Sequence, residues 1–183
     1  MITDSHRRGG NKLPCINDYV NYKTQGVCKI EDLRPMKFDP DSREREYYIL
    51  RPVHQDSFRI FVPADNQTLI DQMRPVLSPE EIDRIILSVK DQSLAWEKDR
   101  KARSARFQEI LSRRDEREPL MLISCLYLKS KETANGLSST DTQILKKAEL
   151  IIEQEFAFSL KISMQSVGIY IRKKLDMADI PAG

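Results

Sequence analysis

The tetrapeptide Ser78-Pro79-Glu80-Glu81 divides the chain into two kinds of sequence. A serine followed three residues later by a glutamate is a capping box, in which each side chain satisfies an amide that the start of a helix leaves unpaired. Proline at the first helical position has the required φ and no amide to orphan. Beyond this point Ile82, Ile85, Ile86 and Val89 recur at helical spacing. Before it the apolar residues fall in short runs over 16–22, 26–33, 47–50 and 58–62, rich in Tyr, Val, Ile and Phe. These runs are bounded by turn chemistry at Asn17-Asp18, Thr24-Gln25-Gly26, Asp39-Pro40-Asp41 and Pro63-Ala64-Asp65-Asn66. The chain therefore reads as α+β: a small curled sheet or barrel of five or so strands, then a compact α-helical domain. Gly26 is placed to supply a positive φ where a strand turns, and the charged stretch 39–46 reads as a hairpin loop. A flexible leader over 1–13, a β-domain over 14–76 and a helical domain over 77–183 are the expected divisions.

Three further helices are expected after the one that Ser78 opens, and a fourth near the end. The first begins at about Trp96 and is strongly basic. The second, from Pro119 through Leu128, has almost no polar face and suits the centre of a bundle. The third follows Gly136, with Ser138 and Asp141 repeating the capping logic. Ile144, Leu145, Ala148, Ile151, Ile152 and Phe156 trace its buried face, and Glu155 is an acidic exception on it. Ser163 caps a last helix whose Arg172, Lys173 and Lys174 sit well at its C-terminal end.

Several function classes lose support from composition. The 183 residues suffice to bury a core, and no apolar run approaches the roughly 20 residues of a membrane-spanning helix. The N-terminal MITDSHRRGGNK lacks the apolar middle of a secretory signal, so a cytoplasmic protein is expected. Cys15, Cys28 and Cys125 are odd in number and widely spaced, which favours reduced thiols over disulfides or a zinc site. His6 and His54 have neither metal-ligand spacing nor a nucleophile beside them, and the six glycines form no phosphate-binding fingerprint. Neither an enzyme nor a cofactor is expected.

The residues of most functional interest lie in Trp96–Arg114. Lys98, Arg100, Lys101, Arg103, Arg106, Arg113 and Arg114 stand there against Glu97, Asp99 and Glu109, in a chain whose net charge is only +2. Lys and Arg at this density suit phosphate neutralisation, and a flat aromatic beside them suits a minor-groove wedge or a stacking platform. A competing reading exists. At helical pitch Trp96 shares a face with Arg100, Arg103, Phe107, Ile110 and Leu111, which makes it the first core residue of an amphipathic helix.

The order of these features resembles the CarD-like (CarD/CdnL) bacterial transcription regulators. Ile16-Asn17-Asp18-Tyr19-Val20-Asn21-Tyr22 with Gly26-Val27 is similar to the family's opening strand. Tyr47-Tyr48-Ile49-Leu50 and Val62-Pro63-Ala64-Asp65-Asn66 are similar to its later strands and their turn, and Arg74-Pro75 to the residues before its first helix. Trp96 to Asp115 resembles the segment with the family tryptophan, and Glu155-Phe156-Ala157 falls within the matching late helix. The resemblance implies a Tudor-like β-barrel that binds the β subunit of bacterial RNA polymerase, and a helical domain that contacts promoter DNA at the edge of the melted region. Trp96 then matches the wedge that stabilises the open complex, and Lys101 matches a basic position one turn beyond it. The sequence departs from the family at Asn17, where a glycine is usual, and at Arg113-Arg114, where many members break the helix. A polymerase-facing arginine of some members falls on Phe61. By position, Lys37, Arg59 and Phe61 are the expected polymerase contacts, at a sheet edge open to strand addition.

The expected protein is a monomer that holds polymerase with its barrel and DNA with its basic helix. Two alternatives stay open. One is an adaptor that binds protein without touching DNA, and the other is a small single-stranded nucleic-acid binder, which the near-neutral charge disfavours.

Overall fold

The computed structural model describes residues 7–8, 11–22, 25–38, 43–113 and 115–175. The chain divides into two compact units, Met1–Val76 and Leu77–Gly183. Among the described residues no helix is long and apolar enough to cross a membrane.

Within the expected leader, β1 (Arg7–Arg8) and β2 (Asn11–Lys12) pair antiparallel. The main sheet of the first unit contains β3 (Tyr19–Tyr22), β4 (Val27–Met36), β5 (Arg45–Pro52), β6 (Ile60–Pro63) and β7 (Met73–Pro75), in the order β6-β5-β4-β3-β7 and antiparallel throughout. Its edge strands β6 and β7 are not paired with each other among the described residues, so the ladder is open. Every strand nevertheless contributes to one core: Val20, Tyr22, Cys28, Ile30, Tyr48, Leu50, Val62 and Met73, joined by Ile70. Ile70 ends α1 (Gln67–Ile70), a single turn that the periodicity of the sequence does not announce. The Asn66 side chain opens it by accepting the Leu69 amide at 3.2 Å. Strand β7 is likewise unannounced, because three residues ending in proline carry no period. Gly26 has φ 70°, as its position before β4 demands. Residues 39–42 of the expected hairpin loop lie outside the described residues, and Arg45 and Glu46 belong to β5.

Among its described residues the second unit holds five helices: α2 (Pro79–Ser88), α3 (Arg100–Ser112), α4 (Arg117–Glu132), α5 (Ser139–Leu160) and α6 (Met164–Lys174). The capping box forms as expected, with Ser78 Oγ accepting the Glu81 amide and the Glu81 carboxylate accepting the Ser78 amide. Ser138 and Ser163 cap α5 and α6 through the hydroxyl alone, Oγ accepting the Asp141 and Ser166 amides. Ile82, Ile86, Leu120, Ile152, Phe156 and Val167 knit α2, α4, α5 and α6 together. Phe107, Ile110, Leu122, Leu126, Ile144 and Ala148 form a second cluster between α3, α4 and α5. Glu155, the acidic exception on α5, is 1% exposed and accepts the Leu77 amide, while Ser159 Oγ donates to the Leu77 carbonyl. A polar pair on α5 thus anchors the residue that precedes α2.

Candidate functional site

The basic helix starts later than its charge pattern suggests. Asp99 caps α3 by accepting the Ala102 amide at 2.7 Å, and Arg100 is the first helical residue. Trp96 therefore stands in the segment leading into α3 rather than on the helix, and the shared helical face expected for it does not exist. It is partly buried against the α3–α4–α5 core, with its ring edge-on to Phe107 at 6.3 Å between centroids. The Arg103 guanidinium carbon lies 4.4 Å from the indole centroid and Lys129 Nζ lies 5.2 Å from it, both within cation–π range. Lys129, in the last turn of α4, carries no local signal in the sequence; only the packing of α4 brings it to the tryptophan. It also meets Glu132 at 2.9 Å.

The cations named from the sequence separate into three groups. Lys98 and Lys101 are exposed, with no side-chain partner among the described residues. Arg100, Arg106 and Arg113 are exposed but engaged. Arg100 donates to Thr140 Oγ1 at 3.2 Å, Arg106 to the Ala95 carbonyl at 3.2 Å, and Arg113 to Glu109 and Glu118 at 2.6 and 2.8 Å. Arg103 is 7% exposed and forms a two-pronged pair with Asp141, Nε to Oδ1 at 3.2 Å and Nη2 to Oδ2 at 2.9 Å. Its helical position, one turn before Phe107, points it at the core; a charge there persists only because a carboxylate meets it. Arg103 is thus enclosed by its ion pair, unlike the exposed cations Arg100 and Arg106 on the same helix. Arg114 lies outside the described residues.

Asp141 is held below the ordinary carboxylate range: burial pushes it up, but hydrogen bonds from Arg103 and Ser138 and the Arg103 charge outweigh that. Among the described residues no group of His, Cys, Asp and Glu could hold a metal ion. The helical unit also contains a cavity of about 560 Å³ between α4, α5 and α6, with an apolar floor that includes Leu120, Ile152 and Val167. Two acids and two bases, Glu149, Glu153, Lys131 and Arg172, share its lining, so it offers a polyanion no net attraction.

A different surface lies on the sheet unit. Strand β6 pairs with β5 alone among the described residues and so presents its other edge. On β5, Tyr48 and Leu50 enter the core, so Tyr47 and Ile49 face the opposite side, in register with Pro63 and Phe61. Phe61 is 38% exposed and meets Phe38, itself 59% exposed, edge-on at 5.3 Å; Phe38 meets Tyr47 edge-on at 5.0 Å. Lys37 is exposed beside this aromatic cluster in sequence. Arg59 pairs with Glu31 and donates to the carbonyls of Asp56 and Phe58 at 2.9 and 3.1 Å. Glu31 is the extra residue where the β4–β5 register shifts, and it also receives Arg51 Nε at 2.6 Å. Phe38 and Tyr47 do not stand out as contacts in the sequence, because each reads alone as an ordinary strand or loop aromatic.

Residues 15–77 match the family described as the CarD-like/TRCF RID domain. The match spans the main sheet and ends just before the capping box of α2. The chain matches none of the curated proteins.

Proposed function

We propose that the protein acts in transcription by binding RNA polymerase through its sheet unit, because residues 15–77 match the CarD-like/TRCF RID domain. The family match carries this reading. In its finer form, the sheet unit works as a Tudor-like barrel and the partner is the β subunit of the bacterial enzyme. The contact is made at the β6 edge by strand addition, with Phe61 and Phe38 as apolar anchors and Lys37 as a flanking charge. The single core to which all five main-sheet strands contribute supports the barrel comparison.

The helical unit then contacts promoter DNA. Trp96 inserts at the distorted edge of the melted region, and Lys98, Lys101 and Lys129 hold phosphates beside it. A partner bound to polymerase already has a high effective concentration at the promoter, so a modest basic patch on a chain of net charge +2 suffices. On this reading the protein is a cytoplasmic monomer without catalytic activity or cofactor.

A second reading draws on the packing of Trp96 against Phe107 and Arg103. A tryptophan committed to the core leaves an adaptor that binds polymerase and does not touch DNA. The lifetime of heparin-resistant promoter complexes of a bacterial RNA polymerase separates the two, measured with and without the protein and with Trp96→Ala. A lifetime extended by the protein and restored to its basal value by the substitution supports the wedge. Polymerase binding with no change in lifetime supports the adaptor, and no polymerase binding overturns the proposal.

A further inference from the structure

Arg103 belongs by sequence to the row of phosphate-facing cations, yet its guanidinium is already committed. Two of its N–H groups go to Asp141, at 3.2 and 2.9 Å, and Nη1 reaches the carbonyls of Glu97 and Lys98 at 3.0 and 3.4 Å. Of the five donors a guanidinium has, little is left for a phosphate. Those two carbonyls belong to the residues directly after Trp96, and the same guanidinium stacks 4.4 Å from the indole centroid. The carboxylate that orients it is anchored in turn, because Asp141 accepts Ser138 Oγ at 2.6 Å at the start of α5. A continuous chain of contacts therefore runs from the cap of α5, through a buried ion pair, to the backbone and ring of Trp96.

We infer that Arg103, oriented by Asp141, is the positioning residue that presents Trp96 to DNA, and is not itself a DNA contact. This rests on the reading of Trp96 as the wedge. The physical reason is preorganisation. A tryptophan on a free loop loses rotational and backbone freedom on insertion, whereas one pinned through its own following carbonyls has lost that freedom on folding. Arg suits the task and Lys does not, because only a planar fork can hold a carboxylate, two carbonyls and a ring face together.

The test uses the full chain, in which Trp96 is the one tryptophan, so its fluorescence reports this site alone. Acrylamide quenching and anisotropy are measured without DNA, well below the melting temperature, for wild type, Arg103→Lys and Asp141→Asn. Loosening of the indole is expected in both variants, read as a roughly twofold rise in the quenching constant as the segment moves toward loop-like mobility. A merely structural pair between α3 and α5 would lower the melting temperature and leave quenching at the wild-type value; that result overturns the inference. Should Arg103→Lys fail to fold by circular dichroism, Asp141→Asn decides alone, since it keeps the shape and one accepting oxygen.

Promoter-complex lifetime supplies the functional arm. The Arg103→Lys complex is expected to decay as fast as that of Trp96→Ala, with polymerase affinity unchanged. A wild-type lifetime despite a loosened indole overturns the positioning role. If Trp96→Ala itself leaves the lifetime unaltered, the wedge reading has failed, and with it any role in presenting Trp96 to DNA. The quenching result then speaks only to whether Arg103 holds the ring.

Discussion

Glu155 Oε1 accepts the backbone amide of Leu77 at 3.1 Å, so a side chain in the C-terminal third of α5 fixes the residue at which the helical unit begins. The carboxyl is 1% exposed, and the amide it serves has the capping box immediately after it. Glu155→Ala removes the acceptor and leaves a cavity. A loss of about 2–4 kcal/mol is expected, from a partly buried amide left without its acceptor and from missing packing. Glu155→Gln, which keeps a carbonyl oxygen in place, is expected to lose much less. Urea unfolding of the two variants, at unchanged m-value, measures the difference.

The sheet-edge aromatics are expected to matter for binding and not for folding. Phe61→Ala and Phe38→Ala each remove an exposed ring from the cluster, and each is expected to weaken polymerase binding about tenfold, the scale of one interface anchor. Thermal melting should stay close to that of wild type, because neither ring belongs to the core cluster of the sheet. A large fall in melting temperature together with unchanged affinity would place the rings in the fold instead.

Lys98 and Lys101 are the exposed cations nearest Trp96 in sequence that have no side-chain partner among the described residues. If they hold phosphates, each alanine substitution lowers the slope of log K against log salt by about 0.9, and both together by about twice that. The slope comes from titrating labelled promoter duplex at several salt concentrations. An unchanged slope would remove both lysines from the DNA interface.

Acid should loosen the helical unit first at its carboxylates. Asp83 is lowered by hydrogen bonds from Lys174 and Tyr170, and Asp141 is lowered despite its burial by Arg103 and Ser138. For a carboxylate whose folded value is depressed, the stabilisation is complete above its unfolded value of about 3.9. It is lost as pH falls from there through the folded value. Stability is therefore expected to be flat with respect to these two groups from neutral pH to about 5 and to drop below 4. Asp83→Asn and Asp141→Asn should each flatten that drop, read by urea midpoints across the range.

Thiol reactivity should be uneven. Burial pushes Cys28 up to about 11 and also raises Cys125, whose thiol donates to the Leu94 carbonyl at 3.6 Å; Cys15 is exposed. At pH 8 in the native state iodoacetamide is expected to label Cys15 and to spare Cys28, as peptide mass mapping would show. Rapid labelling of Cys28 would indicate that the sheet opens locally.

The two-part organisation was legible in the sequence, because a capping box and a change from short β-runs to helical spacing are local signals. So were the three serine caps and the positive φ at Gly26, each set by chemistry within a few residues. What tertiary structure alone decided is which charges remain available. Lys98 and Arg103 look alike in a sequence, yet one is exposed and the other is buried against Asp141, a partner thirty-eight residues away. The basic pattern runs through Trp96 and so extends the helix over it on paper, but the Asp99 cap starts α3 after it, and Phe107, Arg103 and Lys129 then set its surroundings. Local periodicity specifies which face of an element is apolar. Only the packing of α3, α4 and α5 specifies which side chains from distant segments meet there, because that depends on crossing geometry and on the pairing of buried charge, neither of which is written within a few neighbouring residues.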